Sequence, residues 1–152
     1  MAYRPNLIGN HPFREGKIDR LSYEGRAEIV KEQEDFNTLV DCMVLCKFVC
    51  LPTIGPILWE ELSKLYSIVT GADVKPNQLM ATAERINNLI RAINIREGIT
   101  KKDDTLPKRS TTEPIKGQTV EEDKLNKMLN QYYKLRGWNE EKESKLTIKL
   151  DL

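Results

Sequence analysis

Three cysteines, Cys42, Cys46 and Cys50, stand in the pattern C-x3-C-x3-C directly after Asp41. Thiolates bind soft metals and iron–sulfur clusters, so this run is the first place to look for chemistry. On a helix, steps of four set all three along one slowly drifting stripe. Neighbours then lie about 6 Å apart along the axis, and the outer two about 12 Å. One small cluster cannot be reached by all three, and at most two can share a metal. The competing reading is that they are small buried hydrophobes. An odd number in one short run is not a secreted disulfide framework, which points to a reduced setting. Asp41 precedes an apolar stretch, and a buried carboxylate needs a partner or a ligand; a salt bridge within the chain, or exposure to water, would satisfy it equally. His11 is the single histidine. No Ser-His-Asp spacing, glycine-rich phosphate loop or C-x2-C pair accompanies these residues, so nothing here supports a self-contained enzyme.

The elements that must position them read as helices. From about Tyr23 to Phe48, apolar residues recur at threes and fours: Ile29, Val30, Phe36, Leu39, Val40, Met43, Val44 and Phe48. Charge fills the first half of that run and the second half is almost all apolar, as in a helix entering an interior. Pro52 ends it. Gly55-Pro56 opens a second helix, because proline suits the first turn, and Gly71 stops it near residue 70. Lys75-Pro76 opens a third, with a stripe of Leu79, Met80, Ala83, Ile86, Leu89, Ile90 and Ile93, ending at Gly98. Residues 99–118 lack a helical period and read as a long loop, of the kind that is often functional or faces a partner. Thr119 with Glu122 has the form of a capping box, and a fourth helix follows to Arg136, closed by Gly137. The fold class is therefore all-α: about four main helices at 23–48, 56–70, 76–97 and 120–136, the long loop at 99–118, and strand content near zero. Residues 1–22 form an irregular arm, 23–138 the helical domain, and 139–152 a charged tail.

The 152 residues include 24 Lys and Arg against 23 Asp and Glu, a net charge of +1. That balance argues against a general nucleic-acid binder. No stretch approaches the roughly 20 apolar residues needed to span a bilayer, and the first residues lack the form of a signal peptide. The expectation is a cytoplasmic protein with no nucleic-acid or membrane partner.

The run from Arg85-Ile86-Asn87-Asn88-Leu89 through Asn94-Ile95-Arg96-Glu97-Gly98 to Leu106-Pro107-Lys108-Arg109 resembles a signature of the tungsten-containing aldehyde ferredoxin oxidoreductases. Asn126 to Trp138 is similar to that family's next block, and Gly25 to Lys31 with Val40 to Phe48 to an earlier one. The resemblance covers roughly residues 23–138. It implies the C-terminal helical domain of an enzyme that oxidises aldehydes to acids and passes electrons to ferredoxin. That enzyme uses a tungstopterin beside a [4Fe-4S] cluster. In the family, an N-terminal and a middle domain carry most of the site. The middle domain supplies three cluster cysteines, and the C-terminal domain supplies the fourth from Asp-x-x-Gly-Leu/Val-Cys.

That motif falls here on Asp41 to Cys46. The resemblance makes Asp41 and Leu45 pterin-binding residues, Cys46 the cluster ligand and His11 the counterpart of an active-site histidine. The motif glycine is Val44 here, and the positions of the family's arginine and lysine around the histidine hold Leu7 and Phe13. The resemblance thus implies a chain that is no complete enzyme by itself and needs a partner carrying the N-terminal and middle domains. The alternative is a non-catalytic helical assembly module, or a remnant without cofactor. A cofactor-facing segment should place Cys46 at or near the surface beside a concave apolar patch, or covered only by the arm 1–22. A closed module should enclose Cys46 beneath its helices and pair Asp41 with a basic residue of the same chain.

Overall fold

A computed structural model describes residues 10–11, 14–17, 22–47, 57–114, 117 and 119–138. Its main helices are α1 (Arg26–Cys42), α2 (Trp59–Thr70), α3 (Pro76–Arg96) and α5 (Glu122–Arg136). The all-α expectation holds, and α2, α3 and α5 follow the apolar periods that announced them. A short antiparallel ladder joins β1 (Asn10–His11) to β2 (Arg14–Lys17). Those residues lie in the stretch where the sequence shows no period. The loop after α3 is partly ordered into a 3-10 turn, Lys101–Asp103, and one short helix, α4 (Arg109–Thr112). The tail after Trp138 lies outside the described residues.

The chain forms two compact units, one built on Ile29–Asn87 and the other on Tyr23–Glu28 with the segment from Asn88 onward. Within the first, Phe36, Leu39 and Val40 of α1 pack with Leu62 of α2 and with Leu79 and Ala83 of α3. Val40 and Leu62 are wholly buried. Trp59 stands edge-on to Phe36 at 5.3 Å. A polar network joins α1 to α3 beside this core. Buried Asp35 takes the ammonium of Lys31 at 3.0 Å and the amide of Asn87 at 2.8 Å, and Asn87 accepts from the Thr38 hydroxyl. Each group in that chain is satisfied, which is the condition for tolerating a carboxylate in a core.

The second unit is organised around Arg91. Its guanidinium forms a two-pronged pair with Asp104, at 3.0 and 2.5 Å, the geometry in which arginine binds a carboxylate most strongly. The Tyr133 hydroxyl donates to the same carboxylate. Arg91 also lies 5.1 Å from the Trp138 ring centre, and the indole N–H of Trp138 donates to Asn88 at 2.9 Å. Asn88, Arg91, Asp104, Tyr133 and Trp138, which hold this unit together, all lie in two of the runs that carry the sequence resemblance, 85–109 and 126–138.

Helix ends explain most of the boundaries. Gly71, Gly98 and Gly137 follow α2, α3 and α5 with φ of 74°, 94° and 70°, the left-handed stop that glycine adopts without penalty. The start of α5 differs from the capping box expected at Thr119. Glu121 is the N-cap and makes no side-chain cap. Its N–H donates instead to the Tyr23 hydroxyl at 3.1 Å, and a contact from distant sequence replaces the local box.

Asp104→Ala would strand the Arg91 guanidinium, whose side chain is only 10% exposed. It should cost about 3 kcal/mol in chemical denaturation, against at most about 1 kcal/mol for Asp73→Ala, whose pair with Lys75 is exposed. Burial, reinforced by the hydrogen bond to Asp104, holds the Tyr133 phenol well above the ordinary tyrosine range. The unfolded chain ionises this group near pH 10 while the fold retains its proton. Stability should therefore fall as pH rises past about 10, and Tyr133→Phe should flatten that part of the pH–stability curve.

Candidate functional site

The segment 41–46 begins as helix and ends as a turn. Sequence periodicity carries the first helix to Phe48, but α1 stops at Cys42. The cysteine stripe is accordingly corrected: Cys42 lies on the last helical turn, Cys46 lies beyond it, and Cys50 is outside the described residues. The stop is made by backbone. Leu45 N–H bonds to Val40 C=O and Val44 N–H to Asp41 C=O, both at 3.0 Å. This is the paired 6→1 and 5→2 pattern of a Schellman turn, with Val44 at the left-handed position. Val44 has φ of 56° and is the one non-glycine residue with positive φ among the described residues. A β-branched residue is rarely found there. The motif implied by the resemblance has glycine at this place, and the requirement for the turn persists here with the wrong residue filling it.

The turn sorts the segment's side chains. Leu45 folds back and packs on the core cluster that contains Val40, which supplies the apolar contact usual in this motif. Val44 points away and is 91% exposed. Cys42 and Cys46 are both exposed free thiols. The Asp41 carboxylate meets the Lys47 ammonium at 2.8 Å, with side chains 58% and 42% exposed. An exposed pair of this kind contributes at most about 1 kcal/mol, so a ligand's N–H groups can displace Lys47 at little cost.

The expectations for these residues divide. Cys46 lies at the surface, which is one part of what a cofactor-facing segment requires. Asp41 is paired to a lysine of its own chain, as a closed module requires. Residue spacing does not single out Lys47, because its approach to Asp41 depends on the turn at Val44. His11 lies in β1, opposite Arg14 in the ladder register; its side chain is outside the described residues.

A cubane cluster needs four ligands. Among the described residues, no group of three or more His, Cys, Asp or Glu is placed to hold a metal. The segment offers two accessible thiols, Cys42 and Cys46, one accessible carboxylate and the backbone between them. That donor set fits the edge of a cluster and of a pterin, and does not fit the whole of either. Among the described residues, no helix is long and apolar enough to cross a membrane.

Residues 2–148 match the family described as aldehyde ferredoxin oxidoreductase, domains 2 & 3. The tungsten-containing aldehyde ferredoxin oxidoreductase of Pyrococcus furiosus is 37% identical over 114 residues, which are 71% of this chain and 18% of the relative. Its counterpart in Pyrococcus abyssi is 33% identical over 143 residues, 90% of this chain and 22% of the relative. The Thermococcus kodakarensis protein of the same name is 35% identical over the same length and coverage. The chain thus spans about a fifth of the length of the curated relatives it matches.

Val44→Gly should stabilise the chain. Relief of the left-handed strain is worth about 1–2 kcal/mol, and the extra freedom of glycine in the unfolded state offsets about 0.5–1 kcal/mol of it. A net gain of about 1 kcal/mol, or about 2–4 °C in Tm, is the expected calorimetric result.

Proposed function

Because this chain belongs to the aldehyde ferredoxin oxidoreductase family, we propose that it supplies one edge of a tungstopterin iron–sulfur site. The rest of that site belongs to a larger body carrying the N-terminal and middle domains. The whole assembly oxidises aldehydes or related oxo compounds and passes electrons to ferredoxin. The observation that carries this reading is the segment just after α1, where an exposed Cys46 thiol, an exposed Asp41 carboxylate and the Leu45 backbone are gathered by one turn. In a complete assembly Cys46 would give one thiolate to the cluster, while Asp41 would accept hydrogen bonds from pterin N–H groups. When bound, the cofactors supply the two-electron oxidation and its division into single-electron steps.

The chain's own share is positional. The Schellman turn holds Cys46 off the helix end, and Leu45 anchors that turn to the core. Lys47 neutralises Asp41 until a ligand replaces it. His11 as a proton-handling residue rests on the resemblance.

A second reading is favoured by one specific observation. The Val44 side chain stands out at 91% exposure, where the motif implies no side chain at all. On this reading the chain is a non-catalytic helical assembly module or a remnant that keeps the turn without the cofactor.

Anaerobic reconstitution separates these readings. The isolated chain should hold no stable [4Fe-4S] cluster, since one matched cysteine cannot replace four. Co-expressed with a companion chain carrying C-x2-C-x3-C, the complex should show cluster absorption that Cys46→Ala removes and Cys50→Ala leaves. A stoichiometric cluster in the isolated chain, or one indifferent to Cys46→Ala, would sink the first reading.

A further inference from the structure

The apolar pattern of α1 and its observed end disagree, and the disagreement is chemically specific. Val44 lies four residues after the wholly buried Val40. In a continued helix it would take the next place on the same core-facing stripe. Leu45 lies four after exposed Asp41 and would move to the exposed side. The structure shows the opposite assignment: Leu45 is packed on the core and Val44 is in solvent. Neither arrangement wastes a whole apolar side chain, since each buries one and exposes the other. The sequence offers no breaker between Val44 and Pro52, and the residue at the stop is one that resists the left-handed conformation. On the other side of the balance stand the two turn hydrogen bonds and the Asp41–Lys47 pair. A continued helix loses that pair, because six residues place the two about 9 Å apart along the axis and on different faces.

We propose that residues 43–47 are a two-state helix terminus. In the stopped form Leu45 is partly buried against the core and Cys46 lies beyond the helix. In the extended form Val44 is buried in place of Leu45, and Cys46 follows Cys42 by one turn on the exposed stripe. Valine at position 44 sets the balance between them by straining the stopped form. The inference stands without the cofactor reading, but it has a consequence for it. Any group that takes Cys46 in the stopped form alone draws the population toward that form, by as much as its affinities for the two forms differ. Val44 thereby tunes how readily the segment presents its thiol.

The test uses the full 152-residue chain, labelled for NMR. The extended form should be populated to about 0.1–10%, and relaxation dispersion should report its exchange on the microsecond-to-millisecond scale at the amides of Val44 to Lys47. Val44→Gly should abolish that dispersion by removing the strain from the stopped form. Leu45→Ala deletes the contact made only in the stopped form, so it should shift the Cα resonances of Val44 to Lys47 to helical values and slow amide exchange at Cys46 and Lys47. A flat dispersion profile at these residues in the natural chain overturns the proposal, and so does dispersion that survives Val44→Gly. Should Leu45→Ala unfold the chain, the Val44→Gly comparison alone decides.

Discussion

A helix that ends inside a packed chain must satisfy its last carbonyls and redirect the backbone at once, and in this protein one device does both at every main helix. A residue in the left-handed conformation follows each: Val44, Gly71, Gly98 and Gly137. The turn hydrogen bonds run back to the final carbonyls, and at Leu45 and Trp138 the next side chain folds onto the helix it has just left. Remove the left-handed residue and the chain continues in the wrong direction, with its core side chains off register. Three of the four positions hold the residue that meets this demand without strain. The fourth holds valine, and it lies in the segment where the candidate site is found.

Between these stops, α3 contributes polar contacts to each unit. Asn87 completes the bonding of buried Asp35 in the first, and Asn88 accepts from Trp138 in the second. Arg91 then gathers Asp104, Tyr133 and Trp138. A buried guanidinium is tolerable only with its carboxylate in place, so this cluster fixes the loop after α3 against α5 within its unit. The motif residues that single the chain out as a family member are, in this region, a folding device.

The candidate site has a different physical character. Asp41, Leu45 and Cys46 are close because they are near in sequence and a turn folds back through them, and the polar groups of Asp41 and Cys46 face water. Such a segment is weakly held: two turn hydrogen bonds, one exposed ion pair and the Leu45 contact oppose a strained backbone. The two readings share the same turn and differ in what stands against it.

Sequence alone determined the fold class, because apolar residues at threes and fours specify helices wherever one face must be buried. It also located the glycine stops, since left-handed φ has a residue-type signature. Val44 carries no such signature, and periodicity therefore runs α1 past its end to Phe48; the family motif, with glycine at that place, is the one hint of a turn there. The box at Thr119 fails for a related reason: a local capping pattern is outweighed by the Tyr23 hydroxyl, 98 positions from Glu121 in sequence. Tertiary structure alone decided which of Val44 and Leu45 is buried, that Asp41 meets Lys47, and that Arg91 is the centre of a buried cluster. Each of these depends on groups brought together by the path of the backbone between helices, and side-chain spacing along a single helix contains no information about that path.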